Sequence, residues 1–349
     1  MKKNILCVLL AAVLALMPLA GMAVEEPVVM LAGKEMKPGD VLYCNGATVE
    51  FSLSDYTGYA EVSADGKMLT LNNFNNHGRC GIATNSSTGV ASALVLYSPV
   101  TLNLQGQNKL SNAYSLGDGI STHGDTTIKG TGSLEVEADW GIYNWEAGNL
   151  AITSGDLTIK GRYVNIRSYY TTITGGKVDL TSDHKSGIAN VYDLTISGGV
   201  VNINANDAIH SNQNVIISGG EVNVKGIYAM IADGEMQLTG GKMTVTGQYK
   251  TLVADKIICT LPIPEGVEIR SIDNKEWMDY TTHLDEMATS GIIRPQWRTF
   301  QLPAQTAEPV DPAAPAVPTT GDSTPIALWA ALAVMSAAGM LVIRRRRTV

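Results

Sequence analysis

The chain has 349 residues, a formal net charge of −8, 35 glycines and three phenylalanines. Such an acidic balance excludes a partner gripped by its phosphate backbone, which needs clustered Lys and Arg to displace counterions, so no nucleic-acid partner is expected. Many glycines with few phenylalanines fit a protein of short strands and turns and exclude a core of large aromatic rings.

Residues 1–23 have the three parts of a secretory signal peptide. Lys2 and Lys3 supply the positive start, and Ile5 to Leu16 is an apolar run too short to span a bilayer. Gly21 and Ala23 stand three and one before a cleavage point, so the mature chain is expected to begin near Val24. Cys7 lies too far upstream of that point to be a lipidated cysteine. Residues 24–60 are expected to form an N-terminal cap on a repeat region.

Residues 61–270 are that repeat. The segments TTIKGTGSLEV, LAITSGDLTI, TTITGGKVDL, LTISGGVVNI, VIISGGEVNV and MQLTGGKMTV share one template, an apolar pair, a glycine turn and a second apolar pair. Their central residues are Ile128, Ile152, Ile173, Ile196, Ile217 and Leu238, at steps of 21 to 24. Within each segment side chains alternate with period two, so Ile196, Val201 and Ile203 should face inward and Thr195, Ser197 and Asn202 outward. A third short strand recurs as Gly119–Ser121, Gly141–Tyr143, Gly187–Ala189 and Ala208–His210. Three strands in about 22 residues make one coil of a three-sided solenoid, because stacking lets each coil pair with its neighbours. The fold expected is all-β, a right-handed parallel β-helix with coils of about 21–24 residues. Hairpins in a sandwich compete, but they would not impose so constant a period.

After the third strand, Thr122, Asn144, Asn190 and Ser211 form one column. They should point into the bend and hydrogen-bond along the stack, a structural role. Lys67–Asn72, Gly81–Ala83 and Val100–Leu104 read together as one degenerate first coil with an insertion. Residues 271–302, with Trp277 and Trp297, are expected to cap the other end, since an open solenoid edge templates aggregation.

Residues 303–316 are rich in Pro and Ala and read as an extended spacer. Val317-Pro318-Thr319-Thr320-Gly321 comes next, then an apolar stretch over 326–343, then Arg344 to Arg347. Eighteen apolar residues rise about 27 Å as a helix, enough to cross a membrane, and the arginines would stay in the cytoplasm. Pentapeptide, span and basic tail in that order resemble the LPxTG-type cell-wall sorting signal. The resemblance implies that sortase cuts between Thr320 and Gly321 and joins Thr320 to peptidoglycan. Until then the terminal helix would hold the chain in the membrane. Val317 departs from the pattern, which has Leu there. With both ends removed the net charge falls to −13, because six basic residues leave with only one acidic one.

Three cysteines remain after processing, and an odd number is no disulfide framework. Cys44 with Cys80 stays open as a pairing, while Cys259, in the apolar run KIICT, should be a small core residue.

For chemistry the sequence offers several columns. Parallel β-helices can carry polysaccharide lyases and hydrolases, which need clustered carboxylates. The outward column of the second strand reads Glu135, Thr158, Asp179, Asn202, Asn223, Thr244, with its acids two coils apart, about 10 Å. The corner before the first strand reads Asp125, Asn149, Tyr170, Asp193, Asn214, Glu235, typical turn residues. No catalytic residue and no cofactor are expected from this; Asp125 and Asp193 are what a Ca²⁺ ion would use. Trp140, Tyr143, Trp145, Tyr163, Tyr169, Tyr170 and Tyr192 fall in neighbouring coils and are the candidates for stacking on sugar rings, although such residues also cover loop flanks.

The combination of SADGKMLTLNN, GDGIS, GIYN and repeated LTISGG units resembles clostridial-type surface proteins described as carbohydrate-binding domain proteins with a parallel β-helix. It covers roughly residues 60–270. The function expected is a sortase-anchored, non-enzymatic binding or adhesion module for host or dietary glycans, with a β-helix polysaccharide lyase or glycoside hydrolase as the alternative.

Overall fold

A computed structural model of the chain describes residues 29–45, 48–76, 83–84 and 90–260, and short strands at 268–270, 278–279, 291–294 and 300–302. They lie within one compact unit, residues 1–305. The expected signal peptide, Cys80, Trp277, Trp297, the spacer, Val317 to Gly321 and the apolar stretch over 326–343 fall outside them. The described residues are all strand, turn and irregular chain, with no helix among them and so none long and apolar enough to cross a membrane.

The chain winds into a β-solenoid of about eight turns. Its first strands stack in parallel from Met68–Asn72 through Val100–Gln105, Thr126–Gly130, Asn149–Ile152, Tyr170–Ile173 and Leu194–Ile196 to residues 215–217, 235–238 and 256–259. Second strands stack from Gln107–Ser111 to residues 242–246. Third strands stack from Ala91–Leu96 to residues 250–253. We number the coils 1 to 8 by their first strands, from Met68–Asn72 to residues 235–238, with residues 256–259 adding a ninth first strand.

Each inward column is aliphatic. Leu102, Ile128, Ile152, Ile173, Ile196, Ile217 and Leu238 on the first strands are at most 1% exposed. Val136, Ile159, Leu180, Ile203 and Val224 line the second side, and Ile120, Ile142, Ile166, Ile188 and Ile209 the third. Each such burial is worth roughly 1.5–3 kcal/mol. Among the described residues one ring, Phe74, lies fully in the core; the other coils manage without because each contributes only one layer, about 4.8 Å thick.

The corner between first and second strands explains the repeated Gly-Gly. The second glycine of each pair is left-handed, with φ +78° at Gly176 and Gly199 and +85° at Gly241. A Cβ on Gly199 would also stand 2.6 Å from the carbonyl oxygen of Gly176 in the coil before. The column Thr122, Asn144, Asn190, Ser211 lies buried in the bend after the third strand, as expected, and Ser168 belongs to it. Asn190 Oδ1 accepts the hydroxyl of Thr171 at 2.8 Å, and its amide donates to the carbonyl of Asp193 at 2.9 Å. The Ser211 hydroxyl donates to the carbonyls of Tyr192 and Asn214.

The first coil differs from the sequence reading. Met68–Asn72 and Val100–Gln105 are first strands of consecutive coils, in parallel register Leu69 with Leu102, and do not share one coil. The third strand of coil 1 is Ala91–Leu96, in the place assigned to Gly81–Ala83; Ala83 and Thr84 instead pair antiparallel with it. The reason is physical: Ala91–Leu96 has four consecutive fully buried residues, 93 to 96, and fills the core better. Ahead of the coils, Val29–Leu31 lies antiparallel on Ala91–Leu96, and Gly58–Val62 antiparallel on Met68–Asn72. At the far end Gly291–Arg294 and Phe300–Leu302 lie antiparallel on residues 252–254 and 243–245. Strand pairs of opposite sense thus end the parallel stack on both sides, which blunts its edges.

Candidate functional site

The outward positions of the third strand carry the aromatic residues. Trp140 stacks in register between Asp118 and Val164, and Tyr143 between Ser121 and Arg167. The ring centre of Trp140 is 5.3 Å from Tyr143 and 5.8 Å from Tyr163, and Tyr143 is 4.3 Å from Trp145. Four of the seven candidate rings therefore form one patch across coils 3 and 4, all half-exposed, with Trp140, Tyr143 and Tyr163 on strands and Trp145 just past the end of one. Tyr169, Tyr170 and Tyr192 form a second set at the next corner, with Tyr170 and Tyr192 stacked at 5.1 Å and Tyr169 5.8 Å from Tyr192. Tyr170 is 40% exposed and is the most open of the candidates.

Charge gathers on the patch in a way the sequence reading missed. Arg162 and Arg167 are the only arginines between positions 80 and 269. Both belong to the third-strand segment of coil 4. Arg162 sits 5.3 Å from the ring centre of Tyr163, and Arg167 5.5 Å from that of Tyr143. Both arginines are exposed, a cation–π arrangement. His184 brings its ring to 6.3 Å from Tyr163.

Beneath the patch lies Asp118, 1% exposed and the one charged side chain among the buried polar residues described. The indole N–H of Trp145 donates to its Oδ2 at 2.9 Å. Burial pushes the carboxyl up to about 7, opposed by the hydrogen bonds from Trp145 and Ser121. The sequence held a clue: Asp118-Gly-Ile occupies the place of Trp140-Gly-Ile one coil on, so Asp118 had to neighbour a tryptophan.

The other candidate columns are engaged in the stack. Asp125 Oδ1 accepts the backbone N–H of Asn149, Asp193 Oδ1 that of Asn214, and Asn214 Oδ1 that of Glu235. The corner column is thus a ladder in which a side chain of one coil caps the next. Asp125 and Asp193 lie three coils apart in it, and among the described residues no three His, Cys, Asp or Glu side chains gather closely enough to hold a metal. On the second-strand face, Glu135 accepts Lys160 at 2.7 Å and sits 3.4 Å from Lys109. Lys160 pulls its carboxyl down to about 2. Asp179 binds Lys177 at 2.6 Å and accepts the Asn202 amide at 2.6 Å, and Asn202 in turn accepts that of Asn223 at 2.9 Å. Asp179, Asn202 and Asn223 line a shallow groove of about 440 Å³ with Thr181, Asn204, Lys225, Thr244 and Thr246. His210 on the third strand faces Asp233 at 3.6 Å. Cys44 is buried, and Cys259 packs on the core only in part.

Residues 70–255 match the sequence model of a family described as carbohydrate-binding domain-containing protein. The chain belongs to that family. Residues 309–349 match the LPXTG cell wall anchor motif. No curated protein and no solved structure gives a match. Together the two matches make this a cell-wall-anchored surface protein with a carbohydrate-binding domain, and the anchor motif implies processing by sortase and attachment to peptidoglycan.

Proposed function

We propose that the protein is a non-enzymatic glycan receptor of the cell surface, and that the patch of Trp140, Tyr143, Trp145 and Tyr163 is where the sugar stacks. The observation that carries this is the set of ring contacts joining all four into one patch at the third-strand side, in a family of carbohydrate-binding proteins. Rings fixed on strands lose little freedom when a sugar's C–H face covers them, while exposed guanidinium groups at Arg162 and Arg167 can meet its oxygens. Tyr169, Tyr170 and Tyr192 extend the surface by one corner. The non-enzymatic reading is supported by what the acids do: Glu135 and Asp179 are each tied to lysines, away from the rings. Sortase is proposed to cut between Thr320 and Gly321, within the matched anchor region.

Protein released from the wall by muralytic digestion tests both parts. On a glycan array it should bind, and Trp140→Ala or Tyr143→Ala should weaken binding about tenfold or more, as for a ring at the centre of an interface. An empty array, or an alanine variant that binds like the parent, overturns the site. Release of unsaturated or reducing ends from a polysaccharide overturns the non-enzymatic reading. The released chain should end at Thr320 by mass; an intact tail in the membrane fraction refutes the cleavage.

A further inference from the structure

We propose that Asp118 is the positioning residue of the aromatic patch, holding the Trp145 indole across the third-strand face and setting the strength of sugar stacking through its own ionisation. The inference rests on the glycan-binding reading of that patch and adds to it a control.

Three observations meet at this carboxyl. It has 1% exposure, and among the described residues no cation pairs with it, an arrangement that costs stability and calls for an explanation. Its hydrogen-bond partners are the Trp145 indole N–H, 27 residues away, and the Ser121 hydroxyl. That indole in turn packs at 4.3 Å on Tyr143, the ring at the middle of the patch. Removing the indole would uncover Asp118, and removing Asp118 would free the indole to turn, so each holds the other.

The surroundings leave the group to titrate by itself. Ala91–Leu96, below it, carries no ionisable side chain. The loop before it brings Tyr114, and Gln107–Ser111 brings Lys109. Ser133–Asn144, above it, brings Glu135, Glu137, Asp139 and Tyr143. Glu135 and Glu137 are both tied to Lys109 and Lys160, and Asp139 accepts the N–H of Leu116 at 2.7 Å. The corner beyond brings His123 and Glu146, 3.3 Å apart.

Ionised Asp118 makes a charge-assisted bond to the indole, about twice as strong as a neutral one. Its negative charge also enriches the ring face that a sugar's C–H groups would meet. Both effects favour binding above neutral pH. The fold responds in the opposite sense. The folded carboxyl holds its proton up to about 7, against an ordinary value of 3.8. Its stabilising contribution is therefore full below 3.8 and is lost as pH rises through about 7.

The test uses wall-released protein labelled with ¹⁵N-tryptophan, the Trp145 indole resonance being assigned by Trp145→Phe. In the parent that resonance should shift between roughly pH 5 and 9 with a midpoint near 7. In Asp118→Asn, which keeps a carbonyl acceptor for the indole, it should not titrate. The glycan array, developed at about pH 6 and about pH 8, should brighten severalfold at the higher pH for the parent and stay level for Asp118→Asn. The parent should also lose melting temperature over the same rise in pH relative to that variant. An indole that does not move in the parent, or moves equally in Asp118→Asn, overturns the coupling whatever the array shows. A blank array with a titrating indole overturns the glycan reading instead and leaves the Asp118–Trp145 link standing.

Discussion

Coils 3 and 4 and coils 5 and 6 follow one template inward and diverge outward. Inside, Ile142 and Ile209 fill the same layer position and are both buried. Outside, coils 3 and 4 offer Trp140, Tyr143 and Arg167 on the third strand, where coils 5 and 6 have Ser186, Ala189, Asp207 and His210. Coils 5 to 7 instead carry Asp179, Asn202 and Asn223 on the second strand, side chains that bond to each other. The contrast separates two jobs. Amides that satisfy one another along the stack hold coils together, whereas the half-exposed rings and their guanidinium neighbours are, in the reading proposed above, where a ligand would sit.

The strongest test of the shared interior is to truncate it in both regions. Ile142→Ala and Ile209→Ala should each cost roughly 2–5 kcal/mol by denaturant unfolding, because a buried aliphatic is lost and a cavity left. A large gap between them would show that the coils are not equivalent inside. Next comes the corner: Gly199→Ala forces φ +78° on a residue with a Cβ 2.6 Å from the Gly176 oxygen. It should cost about 1–3 kcal/mol and leave the array pattern unchanged.

The outward contrast gives smaller effects. Asn202→Ala breaks the amide ladder in two places and should lower stability by about 0.5–1.5 kcal/mol per bond without touching glycan binding. Tyr143→Ala should show the reverse, lost binding with little change in the unfolding midpoint. If Asn202→Ala abolished binding, the groove would be the site and the proposed division of labour would fail. Smallest is the Glu135 cluster. Its carboxyl is held down to about 2, chiefly by Lys160. The stability it adds is present above its ordinary value of 4.5 and fades as pH falls toward 2. Glu135→Gln should make the acid limb of the melting curve slightly shallower, and salt should remove the difference, as for a half-exposed pair.

Much of the fold is readable because a solenoid repeats its constraints. Period-two alternation at a spacing of 21 to 24 residues gives the inward columns, the corner glycines and the buried polar column after the third strand. Reading fails where one coil breaks the template. The third strand of coil 4, Val164 to Ser168, lacks the Gly-Ile pair and puts Asn165 where Gly141 and Gly187 stand, which hides Arg167 within it and Arg162 just ahead of it. In coil 1 the third strand is misplaced because Gly-Ile-Ala at 81–83 imitates the motif, while burial favours Ala91–Leu96. The rings are legible as a set, but their division into two groups depends on how long each corner is. Asp118 is legible only in part: the repeat places it beside Trp140, but its hydrogen-bond partner Trp145 lies 27 residues on, and only stacking joins them.

The glycine corner also bears on how such a protein can change over generations. A single residue inserted within a strand would swing the rest of that strand's side chains from core to solvent, so small insertions within strands should be purged, whereas the corners absorb them. Duplication of one whole coil would preserve every column, every corner and every ladder contact, and would lengthen the solenoid by about 4.8 Å. Length is therefore a trait that can be inherited in steps, separately from the four rings of coils 3 and 4, and descendants can vary the one while keeping the other.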